Sequence, residues 1–102
     1  MKVRFLKPAQ SEVDDAVEWY NSQSGSLGTQ FLDDLDRTIR RIVAYPLAST
    51  KMEAFFRRCL LSRFPYGIIY SIDSETVIVI AVAHLHREPR YWIDRLLDSK
   101  TE

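Results

Sequence analysis

The sequence predicts an α+β domain in which a helical hairpin packs on a small, mostly antiparallel sheet. Apolar residues recur at helical spacing in the first half of the chain, whereas nearly continuous, β-branched apolar runs fill the second half. Turn-forming residues separate these runs, so the predicted order is β-α-α-β-β-β, followed by a short C-terminal helix. A length of 102 residues suits one compact domain, and we assign residues 1–102 to it.

The first strand and the first helix come from the opening residues. "KVRFL", residues 2–6, alternates basic and apolar side chains, which favours a short strand. Pro8 suits the first turn of a helix, because that turn needs no backbone N–H donor. The apolar stripe of this helix consists of Ala9, Val13, Ala16, Val17 and Tyr20.

The second helix follows the break "NSQSGSLG", residues 21–28. Its acidic residues come early and its arginines late, which matches the helix macrodipole. Pro46 ends it, so two adjacent antiparallel helices are expected. Its apolar stripe consists of Leu27, Phe31, Leu35, Ile39, Ile42 and Val43.

Three further strands are predicted in the second half. "AFFRRCLL", residues 54–61, mixes apolar and basic residues in a run compatible with a strand. "YGIIYSI", residues 66–72, and "TVIVIAVAH", residues 76–84, are joined by the tight turn "DSE". The last run is apolar on both faces and is therefore expected at the centre of the sheet.

The end of the chain is predicted to leave the sheet. Pro89 breaks the extended conformation, and we expect it to open a short terminal helix. The residues assigned to that helix are Tyr91, Trp92, Leu96 and Leu97.

Charge is balanced overall but divided along the chain. Fourteen basic and 14 acidic residues give a formal net charge of zero, so total charge predicts no polyanion binding. Residues 9–36 carry only acidic charges, whereas residues 51–70 carry Lys51, Arg57, Arg58 and Arg63 against one glutamate. The molecule can therefore present a local electropositive surface.

Composition also indicates the compartment. A single cysteine, Cys59, excludes an internal disulfide and is typical of a reducing cytosol. No apolar run approaches the roughly 20 residues that span a bilayer, and the N-terminus lacks a signal-peptide core. We expect a cytoplasmic protein with no membrane association.

Four stretches of the chain combine into a recognisable pattern. They are "AVEWYNSQSGSLGTQFL" (16–32), "IVAYP" (42–46), "RRCLLSRFPYGIIYSI" (57–72) and "IAVAHLHREPRYW" (80–92). Their marks are a Trp-Tyr pair in the first helix, Phe-Pro-Tyr before the hairpin, and a histidine near the end of the last strand. With these marks the chain resembles the RelE/ParE superfamily of bacterial toxins, the toxic halves of type II toxin–antitoxin pairs. The resemblance spans essentially the whole chain and is closer to the ParE and plasmid-stabilisation branch than to the RelE nuclease branch.

The resemblance implies a fold that matches the predicted order and a small antitoxin that wraps and neutralises the toxin. For ParE-like members it implies inhibition of DNA gyrase, and hence of replication and growth. For RelE-like members it implies cleavage of mRNA on the ribosome. A third alternative is a non-toxic module that still binds an antitoxin.

A ribonuclease site is the alternative that the residues themselves allow. Metal-free cleavage needs a base, an acid and cations that stabilise the phosphate. Two departures argue against it: RelE-like nucleases tend to have a basic residue near the position of Gly67, and here the chain continues past the cluster as an amphipathic tail. We therefore expect no catalytic residues. The nuclease candidates are Arg58, Arg63, His84, His86, Arg87 and Tyr91.

Metal, cofactor and thiol chemistry are not expected. His84 and His86 would share one face of a strand, but a metal site needs a third ligand, and no further spaced Cys or His exists. Cys59, in a strand, is best interpreted as a small buried hydrophobe. Trp19 is expected to pack at the edge of the sheet.

A basic surface remains as the candidate antitoxin contact, formed by Arg57, Arg58 and Arg63. Alternation along a strand places Arg57 and Arg58 on opposite faces. One of them must therefore point to a mostly apolar side, where it needs a carboxylate or a backbone acceptor. An acidic antitoxin segment that folds on binding is the expected partner of this surface.

Overall fold

A computed structural model describes residues 1–100 and confirms the predicted fold class. The elements are β1 Lys2–Phe5, α1 Lys7–Gln23, α2 Leu27–Ala44, β2 Thr50–Lys51, β3 Arg57–Leu60, β4 Tyr66–Asp73, β5 Thr76–His84 and α3 Arg95–Lys100. Helices α1 and α2 form the hairpin, and the sheet has five strands instead of the four predicted. The additional strand, β2, has only two residues, too few for a periodic pattern.

The sheet order is β1-β5-β4-β3-β2. β1 runs parallel to β5, and the other neighbouring pairs are antiparallel. β5 lies between β1 and β4, which agrees with a strand that is apolar on both faces.

The hairpin is closed by a tight contact between its two helices. The backbone N–H of Gly28 donates to Asn21 Oδ1 over 2.9 Å. A Cβ atom at position 28 would lie 2.3 Å from that oxygen, so only glycine allows this approach.

The two faces of the sheet are covered differently. The hairpin covers what we call the helix face, where Tyr20, Phe31, Phe64 and Tyr66 form an aromatic cluster with ring centroids 4.8–6.2 Å apart. The other face is covered by residues 85–98, which we call the strap, and we call it the strap face. Its buried core consists of Leu6, Phe56, Ile69, Ile78, Ile80, Ala81 and Trp92.

Three details differ from the sequence predictions. The strand predicted over residues 54–61 is only Arg57–Leu60, because Ala54 has a φ of 51° and the chain before Arg57 turns away. The terminal helix begins at Arg95 rather than at Tyr91, after a series of turns. Trp19 does not pack on the sheet, since 59% of it is exposed. No helix within residues 1–100 is both long and apolar enough to cross a membrane.

Candidate binding cleft under the strap

A cleft of about 120 Å³ lies between the strap and the strap face of the sheet. Its lining combines three arginines, a histidine, a glutamate and a tyrosine with apolar residues. Four of the six nuclease candidates named from the sequence line it, whereas Arg63 and His86 do not. The lining residues are Met52, Arg58, Ile69, Ala83, His84, Leu85, Arg87, Glu88, Pro89, Arg90, Tyr91 and Trp92.

Arg58 reaches the cleft from β3 across the surface of β4. Gly67 makes room for it, because a Cβ atom at that position would lie 3.1 Å from Arg58 Cγ and 3.2 Å from Cδ. The Arg58 guanidinium makes no hydrogen bond or ion pair with any residue in the described range 1–100. It is therefore a cation available to a ligand or a partner.

Arg87 contributes a second cation on the strap side of the cleft. Its guanidinium carbon lies 3.9 Å from the centroid of the Tyr91 ring, and Arg95 lies 5.0 Å from the same ring. Stacking of this kind orients a guanidinium while its edge still offers N–H donors. Arg90, by contrast, is paired with Glu53 at 2.6 Å.

Glu12 fixes the strap to the hairpin. Its Oε1 accepts hydrogen bonds from Val82 N–H at 3.0 Å and from Arg95 Nη1 at 2.7 Å. Its Oε2 accepts from the Tyr91 hydroxyl at 2.5 Å and from Arg95 Nη2 at 3.1 Å. Arg95 Nη1 also donates to Ile80 O at 3.1 Å. We call Glu12, Tyr91 and Arg95 the latch.

The latch occupies a position where β5 lacks a neighbouring strand. β1 ends at Phe5, opposite Val79, so the outer edge of β5 beyond that point needs other partners. Glu12 and Arg95 supply them. Burial, reinforced by the hydrogen bond to Glu12, raises the pKa of Tyr91 above its usual range. The Tyr91 hydroxyl is therefore a protonated structural donor.

The two histidines lie close together at the end of β5. The backbone N–H of His86 donates to His84 Nδ1 at 3.1 Å, and the two rings meet edge to face at 5.2 Å. The His84 ring also packs edge to face on Tyr66, at 5.1 Å. Within residues 1–100, no group of three or more His, Cys, Asp or Glu side chains is placed to hold a metal ion.

The structure separates the three arginines that the sequence grouped. Arg57 points to the helix face, where it donates to the backbone carbonyls of Leu47 at 3.1 Å and Ser49 at 3.0 Å. Arg58 lines the cleft on the opposite face. The prediction that Arg57, Arg58 and Arg63 bind an antitoxin remains a prediction; Arg63 is exposed, whereas Arg57 and Arg58 are half-buried.

Arg63 lies in a loop held by a buried carboxylate. The backbone N–H groups of Ser62, Arg63 and Phe64 donate to the carboxylate of Asp34 at 3.3, 2.8 and 3.2 Å. Asp34 is fully buried in α2. It therefore fixes the entry into β4 from the other side of the sheet.

Sequence reasoning missed both carboxylates, Glu12 and Asp34, as structural groups. A faint signal existed in each case. Glu12 lies four residues before the buried Ala16, and Asp34 lies between the stripe residues Phe31 and Leu35. Each acid therefore borders an apolar stripe, but the backbone groups that it binds are remote in sequence.

The architecture and the sequence together define the class of this chain. The fold, a helical hairpin on a mostly antiparallel sheet, is that of the RelE/ParE superfamily. The model of a family described as the ParE toxin of type II toxin-antitoxin systems, parDE, matches residues 3–89. The chain belongs to this family, which confirms the resemblance to the ParE branch. Tyr91, Trp92 and Arg95 lie beyond the matched residues.

A solved structure supports the same fold. The chain is similar to one in the chromosomal ParDE TA system from P. aeruginosa, with a TM-score of 0.72 and 16% sequence identity. The similarity covers 82% of this chain and 95% of that chain. No curated protein matches this sequence.

Proposed function

We propose that this chain is the toxin of a type II toxin–antitoxin system that binds and inhibits DNA gyrase and is neutralised by a cognate antitoxin. The observation that carries the proposal is the state of the cleft. Two of its candidate acid–base atoms, His84 Nδ1 and the Tyr91 hydroxyl, are engaged in hydrogen bonds within the chain, whereas the Arg58 guanidinium has no partner among residues 1–100. This arrangement supports binding of an anionic partner by Arg58.

The hydrogen-bond geometry argues against acid–base catalysis. A general acid or base works best when its pKa lies near the operating pH. The raised pKa of Tyr91 moves it away from that range, and its proton is held by Glu12. His84 Nδ1 already accepts a backbone hydrogen bond, so that nitrogen is not available as a base.

The proposed antitoxin contact follows from the chemistry of the cleft. Arg58 and Arg87 lie beside the apolar side chains of Met52 and Leu85, a combination that fits an acidic segment with apolar anchors. The family and the ParDE system of the similar structure support an antitoxin as the partner. Both the antitoxin and gyrase are cytoplasmic partners in this proposal.

A ribosome-dependent endoribonuclease is the second candidate. One observation favours it: Arg58, His84, Arg87 and Tyr91 line the same cleft. A strap rearrangement on the ribosome would have to free the Tyr91 hydroxyl or His84 before either could act. The third candidate, a non-toxic module, requires only the antitoxin contact.

Controlled expression without antitoxin distinguishes these functions. We expect early loss of DNA synthesis and filamentous cells. Rapid arrest of translation with fragmented mRNA would support the ribonuclease instead, and normal growth would support the non-toxic module. Arg58→Glu should abolish the effect while Arg37→Glu, at an exposed position on α2, should retain it. Equal toxicity of both variants would show that the cleft is not the contact site.

A further inference from the structure

The three arginines of the cleft under the strap differ in what holds them. The Arg90 guanidinium is paired with Glu53 at 2.6 Å. The guanidinium groups of Arg58 and Arg87 make no hydrogen bond or ion pair with any residue of the described range 1–100. Among the residues that line the cleft, Glu88 is the one acid. The cleft therefore carries more positive charge than the chain itself neutralises.

Arg58 and Arg87, which we call the arginine pair, come from different parts of the fold. Arg58 belongs to β3 in the sheet, whereas Arg87 belongs to the strap. Their cleft of about 120 Å³ is well below the roughly 300–1,000 Å³ of pockets that enclose small-molecule ligands. It suits one charged group rather than a whole nucleotide or cofactor. Two guanidinium groups at such a site match an oxyanion, which accepts several N–H donors at once.

The ring of Tyr91 gives Arg87 its orientation. The Arg87 guanidinium carbon lies 3.9 Å from the ring centroid. Stacking of this kind leaves the N–H donors at the edge of the guanidinium free for an oxyanion. Position 87 is exposed, so without the ring this long side chain would populate many rotamers. The position of the Tyr91 ring therefore decides where the charge of Arg87 lies.

Glu12 in turn fixes the Tyr91 ring. Its Oε2 accepts the hydrogen bond from the Tyr91 hydroxyl at 2.5 Å, and both carboxylate oxygens are held by Arg95, at 2.7 and 3.1 Å. The side chains of Glu12 and Arg95 are only 14% and 17% exposed, so salt screens this pair little. Contacts thus run from helix α1 through Tyr91 to Arg87. Tyr91 and Arg95 lie outside residues 3–89, so the family match does not imply this arrangement.

We propose that Glu12 and Tyr91 are positioning residues that hold Arg87 at the cleft, so that the arginine pair binds one aspartate or glutamate side chain of gyrase. The proposal rests on the proposed function, since it takes gyrase as the partner. Fixing Arg87 before binding reduces the entropy that the complex must lose. Glu12 and Tyr91 therefore act on gyrase only through Arg87.

Two observations favour a carboxylate of a protein over the phosphate backbone of a nucleic acid. The apolar side chains of Met52 and Leu85 line the same cleft and would contact a protein surface around the bound carboxylate. The chain has no net positive charge, since its 14 acidic residues balance its 14 basic ones. A polyanion gains little from such a chain, whereas a single carboxylate needs only the local pair.

Inhibition of purified gyrase by the full chain tests the arginine pair. Arg87→Gln should raise the concentration for half-maximal inhibition of supercoiling about ten-fold or more, because a charge-assisted contact is lost. Arg87→Lys keeps the charge but not the planar fork, so it should lose about as much. Arg37→Gln is the matched control. It removes the same charge from an exposed position on α2, and should change the value less than about two-fold.

NMR of the free chain tests the positioning role. The Hε signal of Arg87 should carry a ring-current shift from the Tyr91 ring. Tyr91→Phe keeps a ring but removes the hydrogen bond to Glu12, so this shift should shrink and inhibition of gyrase should weaken about three-fold or more. A hydroxyl that only stabilises the fold would lower the melting temperature and leave the Arg87 signal and the inhibition unchanged, which would overturn the positioning role.

The remaining outcomes separate this proposal from the proposed function. If Arg87→Gln inhibits gyrase as well as Arg37→Gln does, the arginine pair is wrong while gyrase inhibition stands. Full inhibition by Arg87→Lys would show that charge without the planar fork is enough, and would also overturn it. Loss of single-stranded nucleic acid binding in Arg87→Gln, with normal inhibition of gyrase, would assign the site to a phosphate instead. If the wild-type chain does not inhibit gyrase, the proposed function itself fails, and this contact fails with it.

Discussion

The helix face and the strap face are stabilised in different ways. The helix face is covered by two long helices whose apolar stripes share one continuous core with the sheet. The strap face is closed by a segment of mostly turns, anchored by Trp92 and by the latch. Local opening costs least where few buried contacts hold a segment. The candidate cleft thus lies on the face that opens more easily.

The largest expected effect contrasts the two cores. Phe31 is fully buried against Tyr20, Phe64 and Tyr66, and Phe31→Ala should lower the free energy of unfolding by about 3–5 kcal/mol. Trp92→Ala removes a larger side chain but should act mainly on the strap. In the Trp92→Ala variant, hydrogen exchange of the backbone amides should accelerate in residues 85–98, while the exchange rates of amides on the helix face should change little. Uniform acceleration in both variants would show that the two faces unfold as one unit.

A smaller effect is expected from the buried carboxylate on the helix face. Asp34→Ala leaves the N–H groups of residues 62–64 without their acceptor and should cost about 3 kcal/mol. Asp36→Ala is the control, because its ion pair with Arg40 is exposed and should contribute less than about 1 kcal/mol. Urea titration measures the free energy of unfolding of both variants. A similar loss in the two variants would mean that the Asp34 carboxylate contributes no more to stability than an exposed charge on the helix surface.

The latch should contribute less to global stability than to local order. Glu12→Ala removes the acceptor of Tyr91 and of Arg95, at an expected cost of about 2 kcal/mol. The matched change Asp15→Ala, at an exposed position on the same helix, should have no comparable effect. Limited proteolysis should cut the strap faster in the first variant only. A strap that stays equally resistant in both variants would show that Trp92 alone holds it.

The smallest effect concerns alkaline pH. Burial, with a contribution from Tyr20, raises the pKa of Tyr66 to about 12. The folded state therefore holds this proton more tightly than the unfolded chain, whose tyrosines titrate near pH 10. The associated stability is complete below about pH 10 and is lost as pH rises towards 12. In melting curves recorded at a series of pH values, Tyr66→Phe should reduce this loss of stability at alkaline pH. If stability falls as steeply with pH in the variant, the loss comes from other tyrosines.

The helices and strands could be predicted from the sequence far better than the contacts between them. The stripe through Phe31, Leu35 and Ile42 predicted α2 because helical periodicity is a local property. Alternation likewise placed Arg57 and Arg58 on opposite faces. The turns before Arg95 replaced the predicted helix start because Trp92 is drawn into the strap-face core.

The functional arrangement depended on contacts that no local pattern contains. Glu12 binds residues 70 to 83 positions away, and Asp34 binds a loop 28 to 30 positions away. On sequence alone, both acids belong only to the acidic stretch of residues 9–36. Similarly, β3 begins only at Arg57 rather than at residue 54, because the positive φ of Ala54 turns the preceding chain away from the sheet.

Supercoiling of DNA by purified gyrase tests the central claim most directly. The wild-type chain should inhibit supercoiling, and the double variant His84→Gln/His86→Gln should inhibit it with the same dose dependence, since a binding toxin needs neither imidazole as an acid or base. A catalytic partner usually contributes about 10²–10⁴-fold, so its loss would be conspicuous. If the wild-type chain leaves gyrase unaffected but cleaves mRNA on ribosomes, and the double variant does not cleave it, the cleft is an active site and the binding account is wrong.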